Sequence, residues 1–194
     1  MDKLDTQMRQ PNDPDYVDQL LQQWDRERPD LDIMPMGVIA RISRAAHLLE
    51  KAQETVFSAY GLHRGRFDVL AALRRSGPPY CLSPTSLYNS LLISSGAMTH
   101  RLDRLTSAGL IERVADERDG RGLLVRLTAA GNAMIDEAIA AHLDNEASLI
   151  SGLSAREKES LTDVLRKLLL LHGDRPHASD SADGAIAARP KQSS

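Results

Sequence analysis

The sequence predicts a mainly α-helical protein with one small β-hairpin. Three observations carry that expectation. Apolar residues recur at steps of three and four over most of the chain, the spacing of a buried helical face. Only two runs, 110–114 and 123–127, read as strands, and they flank a polar tip with two glycines, Asp116-Glu117-Arg118-Asp119-Gly120-Arg121-Gly122. Helix punctuation recurs along the chain, with Ser, Thr or Asp before a periodic segment and Gly or Pro after it.

Taken in order, residues 1–12 are polar and read as a flexible start. Asp13-Pro14 reads as an N-cap with proline at the first helical position, opening an extra N-terminal helix over 13–28. Val17, Leu20, Leu21 and Trp24 supply its apolar stripe, and Pro29 ends it. A long helix follows over 36–60, with Ile39, Ile42, Ala46, Leu49, Val56 and Tyr60 on one side and Gly61 at its close. The next helix covers 64–75, with Phe67, Leu70, Ala71 and Leu73 inward, and stops at Gly77-Pro78-Pro79. A short helix over 82–93 is opened by Ser83-Pro84 and faces inward through Leu87 and Leu91.

The segment 94–127 is the one the rest serves. Ser94 or Ser95 caps a helix whose apolar side is Met98, Leu102 and Leu105, and Gly109 ends it in a left-handed conformation. Two short helices in succession form a helix-turn-helix, with the second as reader. The reader turns Thr99, His100, Arg101 and Arg104 outward, residue types that suit the edges of bases and the phosphates of a DNA major groove. The hairpin and its basic tip suit the neighbouring groove or backbone. Asp103 lies between two arginines and should turn from phosphate, toward Arg104 or Arg74. Thr128 caps a further helix over 129–151, and the capping box Ser154-Ala155-Arg156-Glu157 starts a last, leucine-rich helix to about Leu171. Residues 173–194 hold too little apolar surface to offset ordering entropy and read as a disordered tail.

Composition narrows the function classes. A chain of 194 residues that is 42% hydrophobic has enough apolar mass for one cored domain, here 13–172. A net charge of −3 excludes a basic coat for nucleic acid, so any DNA footprint is local. Residues 94–126 carry six arginines (101, 104, 113, 118, 121, 126) against five acids (103, 112, 116, 117, 119), which favours a dimer that doubles the contacts. The leucines 161, 165 and 168–171 exceed what a lone helix hides, and subunit pairing would cover them. The helices over 36–60 and 129–172 are accordingly assigned to dimerisation and residues 62–127 to the DNA-binding lobe. One cysteine, Cys81, excludes an intramolecular disulfide and a cysteine zinc cluster, and the six histidines show no i, i+3 or i, i+4 pair for a metal. No export signal and no membrane-length apolar run is present, so a cytoplasmic setting with no membrane partner is expected. The absence of a Gly-rich phosphate loop, a Gly-x-Ser-x-Gly elbow and a His-Glu-x-x-His motif argues against an enzyme.

Leu82-Ser83-Pro84-Thr85-Ser86-Leu87, Ser94-Ser95-Gly96-Ala97-Met98-Thr99, Arg101-Leu102-Asp103-Arg104-Leu105, Gly109-Leu110-Ile111-Glu112-Arg113 and the acid-and-arginine tip together resemble the MarR family of bacterial transcriptional regulators. The resemblance covers 36 to about 171. It implies a winged helix-turn-helix homodimer, paired through its N- and C-terminal helices, that binds a pseudo-palindromic operator in double-stranded DNA. It also implies a repressor relieved by a small aromatic anion. The extra helix with Trp24 is similar to the urate-responsive branch, so urate is the expected effector and no cofactor is expected. That branch implies four ligand-linked positions, which fall on Trp24, Asp68, Arg101 and Arg113, with Arg118 as the alternative to Arg113. A flat ring can pack on the tryptophan, and an arginine fork can hold the anion. The DNA-binding set is then Ser94, Ser95, Met98, Thr99, His100, Arg104, Arg118 and Arg121.

Plainer roles stand beside these. Trp24 fits a staple that pins the extra helix, Asp68 fits a structural partner of Arg64 or Arg101, and Arg101 fits a phosphate contact. Cys81 fits a small buried hydrophobe or, in an oxidant-sensing regulator, the sensor. A winged-helix module that binds another protein would need aromatic or leucine anchors on its reader face, and that face carries Arg, Ser and Thr.

Overall fold

The computed structural model describes residues 13–91, 93–116 and 122–174. It contains seven helices and three strands among those residues: α1 (Tyr16–Glu27), α2 (Met34–Ala59), α3 (Arg64–Arg75), β1 (Cys81–Leu82), α4 (Pro84–Ser90), α5 (Ser95–Ser107), β2 (Ile111–Ala115), β3 (Leu123–Leu127), α6 (Ala129–Leu149) and α7 (Ala155–Leu171). The expected mainly helical winged helix-turn-helix is present. The chain divides into two compact units, Met1–Lys51 and Ala52–Ser194.

In the N-terminal unit, α1 starts two residues later than Asp13-Pro14 suggested. Its N-cap is Asp15, whose carboxylate accepts from Asp18 N while the Asp18 carboxylate accepts from Asp15 N, both at 2.9 Å. Two reciprocal bonds satisfy two orphan donors, which a cap at Asp13 would leave unmade. Arg41 on α2 binds the same two acids, at 2.8 Å and 2.6 Å, and holds the Asp15 carboxyl below its ordinary range. Val17 is buried, whereas Trp24 is 43% exposed.

The C-terminal unit holds the core. Phe57 from the end of α2, Phe67, Leu70 and Leu73 from α3, Leu87 from α4, Met98, Leu102 and Leu105 from α5, Ile111 and Val125 from the sheet and Ile135 from α6 form one buried cluster. The strands form an antiparallel sheet in the order β1-β3-β2, with Arg113 opposite Val125 and Glu112 opposite Arg126. The strand β1 corrects the reading of 82–93 as one helix. Leu82 pairs with Val125 instead, and α4 begins at Pro84 behind the Ser83 cap. A two-residue strand carries no alternation to detect, and its pairing partner lies more than forty residues on. The wing's first strand is shifted by one residue from 110–114. Gly109, with φ 70°, takes the left-handed turn after α5, and Leu110 N bonds back to Leu105 O at 3.0 Å before the strand starts.

The capping box of α7 is present as expected, and Gly173 at φ 83° closes that helix. α7 has no buried residue: Leu161, Val164, Leu165, Leu169, Leu170 and Leu171 are all exposed. Residues 1–12, the wing-tip segment 117–121 and residues 175–194 lie outside the described residues, and so do the expectations of a flexible start and a disordered tail.

Candidate nucleic-acid interface

α5 is built as a two-faced helix. Ser94 Oγ accepts from Ala97 N at 3.3 Å and sets its start. Met98, Leu102 and Leu105, at 1%, 2% and 0% exposure, lock its inner side into the core. Met98 was expected to contact DNA, and the structure corrects that: its step of four from Leu102 puts it on the apolar side, where packing leaves no surface for a ligand. The opposite side presents Ser95, Thr99, His100 and Arg104 to solvent. Thr99 Oγ1 donates to Ser95 O at 3.0 Å, which leaves the hydroxyl's acceptor capacity free. Ser94, though committed to its cap, is exposed at the same end.

The one acid on that side, Asp103, pairs with neither Arg104 nor Arg74. Its Oδ1 lies 2.7 Å from Arg113 Nη2 on β2, and Arg74 instead holds Asp136 on α6 at 2.7 Å. The Arg113 pair ties the reader to the wing and neutralises a charge that would repel phosphate. Across the hairpin, Arg126 is taken up by its register partner Glu112 at 2.9 Å. Asp116 N donates to Gly122 O at 2.9 Å and closes the stem of the wing. Arg118 and Arg121, expected on DNA, lie in the tip outside the described residues. Sequence reasoning passed over Thr85 and Asn89, both exposed on α4. The signal was their position off the Leu87 and Leu91 side.

Behind the reader, a second set of charges gathers at the start of α3. Asp68 faces Arg64 at 4.0 Å. Burial pushes its carboxyl above the ordinary value, and the pull of Arg64, Arg101, Arg75 and His142 works against that rise. Asp68 and Arg101 thus lie in one electrostatic neighbourhood. Arg113 is bound instead to Asp103. Trp24 stands on α1 in the other unit. His63 caps α3 by accepting from Gly65 N at 3.1 Å, and burial, with the Arg66 charge next, pushes its imidazole below the usual value. His142 on α6 lies against the stacked pair Phe57 and Phe67, whose centroids are 4.3 Å apart, with its own centroid 5.2 and 5.0 Å from theirs. Among the described residues no group of His, Cys, Asp and Glu is arranged to hold a metal.

Comparison with known proteins agrees with this geometry. The model of the MarR family matches residues 60–122. The chain is 42% identical over 152 residues to the HTH-type transcriptional regulator PecS of Dickeya dadantii, covering 78% of this chain and 92% of that protein. It is 30% identical over 145 residues to the multiple antibiotic resistance protein MarR of Escherichia coli, covering 71% and 93%. A crystal structure of a mutant E. coli MarR complexed with operator DNA superposes with a TM-score of 0.62 at 28% identity, over 75% of this chain and 97% of that one.

Proposed function

This chain belongs to the MarR family, and from that premise we propose that it is a ligand-responsive, sequence-specific DNA-binding transcriptional repressor that works as a cytoplasmic homodimer. The observation that carries the DNA reading is the split of α5: a core-locked apolar side and an exposed side of Ser95, Thr99, His100 and Arg104. A rigidly seated helix with short hydroxyls and an arginine outward suits base edges and phosphates in the major groove. The relatives support it, since PecS bears the name of a transcriptional regulator and a mutant MarR was solved with operator DNA. A two-fold dimer would set two such helices about 34–36 Å apart on a pseudo-palindromic operator. No helix among the described residues is long and apolar enough to cross a membrane.

The effector is a small aromatic anion, urate first. Asp68 and Arg101 support this reading, and Trp24 and Arg113 complete the set the resemblance assigns. An anion that takes the Arg113 guanidinium displaces Asp103. The freed carboxylate on the exposed side of α5 then repels phosphate, and any shift of Arg101 moves the reader itself. The ligand thereby favours the DNA-free state, the differential affinity that such a switch needs. Oxidant sensing through Cys81 has less support. Burial pushes that thiol up, which leaves less of the reactive thiolate.

Titration of the full chain against the DNA upstream of its own gene tests the main reading. Specific binding whose log affinity falls steeply with log salt is expected, and no retardation in low salt at any protein concentration rejects it. Urate is tested by following the fluorescence of Trp24, the single tryptophan, during the same titration. Trp24→Ala should keep operator affinity and need more urate for release, whereas Arg113→Ala frees Asp103, so it should weaken the operator complex without urate and blunt what urate adds. Release at the wild-type urate concentration in both variants removes these residues from the site.

A further inference from the structure

The first turn of α3 contains a glycine for which the helix has no conformational need. Gly65 is buried, and it is not among the glycines with positive φ. An alanine would serve the helix better, because glycine loses more chain freedom on folding. The reason for glycine lies in what covers it. A Cβ at position 65 would stand 2.5 Å from Arg101 Cζ, 2.7 Å from its Nε and 2.8 Å from its Nη2. Three atoms of the guanidinium group at nearly equal distances mean that it lies broadside in the space a side chain would fill. Carbon atoms in ordinary contact sit at 3.4–4 Å, so a methyl group there would push the guanidinium outward by about 1 Å.

The seat is not one that electrostatics alone would choose. A helix N-terminus favours negative charge, and here a cation rests on it. Asp68, one turn further along α3, supplies the compensating attraction, and burial makes that carboxylate dependent on the cations around it. Arg101 belongs to α5, so this contact joins the start of α3 to the middle of the reader helix. The guanidinium occupies the steric vacancy at Gly65, within the electrostatic reach of Asp68.

We propose that Gly65 is a positioning residue whose missing side chain makes the seat that docks the Arg101 guanidinium, and with it α5, against α3, so that filling the seat weakens operator binding. The proposal deepens the operator-binding reading and rests on it for the DNA half of its test. That test is a double-mutant cycle on the full-length protein, with Gly65→Ala, Arg101→Met and the double variant, read by thermal unfolding and by operator affinity. With Arg101 present, Gly65→Ala should give no gain in Tm and should weaken operator binding about fivefold or more. With Arg101→Met, the same alanine should raise Tm, as a better helix former in an emptied seat, and should leave operator affinity unchanged within about twofold. A glycine with a merely local role would show the same Tm change in both backgrounds, and that result overturns the seat. Coupled Tm values with operator affinity untouched by Gly65→Ala overturn its link to the reader. Should the wild-type protein bind no operator, the repressor reading fails on its own control, and the Tm cycle still decides whether the seat exists.

Discussion

Arg104 and Met98 sit six residues apart on one helix and have opposite roles. Arg104 is exposed with no acid holding it among the described ion pairs, so Arg104→Ala should weaken operator binding by about 1–3 kcal/mol and lower the salt slope by about one. Fluorescence anisotropy at several salt concentrations measures both. Met98 is 1% exposed, and Met98→Ala should cost about 2–5 kcal/mol of folding stability, read by urea denaturation. Asp68 gives a pH signature. Its folded carboxyl titrates above its unfolded value of 3.8, so the folded state binds the extra proton in that window. Stability therefore falls as pH rises from the unfolded value through the raised one. Asp68→Asn should abolish that fall, so that wild type minus variant stability declines across the window. A difference flat in pH would mean that burial does not govern this acid. Asp68 and Arg101 were legible as a pair through family likeness. Gly65 was not, because its reason is a side chain from another helix.

Elements begin where caps say they do, and the caps are local chemistry. Ser94→Ala should cost about 1 kcal/mol, because one orphan N–H of α5 loses its acceptor. Circular dichroism during thermal unfolding measures that cost, and it should appear without loss of the core. The starts of α3, α6 and α7 and the run of β3 follow from periodicity and punctuation that each segment carries within itself. The beginning of α1 depended on which of two aspartates has an acid three residues on, and Asp15 has Asp18. The strand β1 was beyond local reading. Cys81 and Leu82 extend because Arg126 and Val125 lie beside them. Asp103 shows the same limit. Its partner Arg113 lies on the strand that follows the helix, and the choice over Arg104 and Arg74 is made by how β2 packs on α5.

For the whole molecule, the unburied apolar side of α7 is the feature that a single protomer leaves unexplained. Leu161 is 48% and Val164 62% exposed, so replacing both with glutamate should leave the protomer folded and shift a dimer to monomer. Analytical ultracentrifugation reads the mass, and operator affinity should fall with it, since each monomer offers one reader helix. A variant that stays dimeric would move the subunit contact elsewhere. The sequence by itself determined most of the helices, the caps of α4 to α7, the hairpin and the polar side of α5, because hydrophobic period and capping are written in neighbouring residues. Tertiary structure alone decided that Asp103 belongs to Arg113 and that Leu82 is a strand. It also decided that Arg101 lies where Gly65 leaves room. Each of these joins residues distant along the chain, and burial, ion pairing and steric fit act through space, where local pattern has no reach.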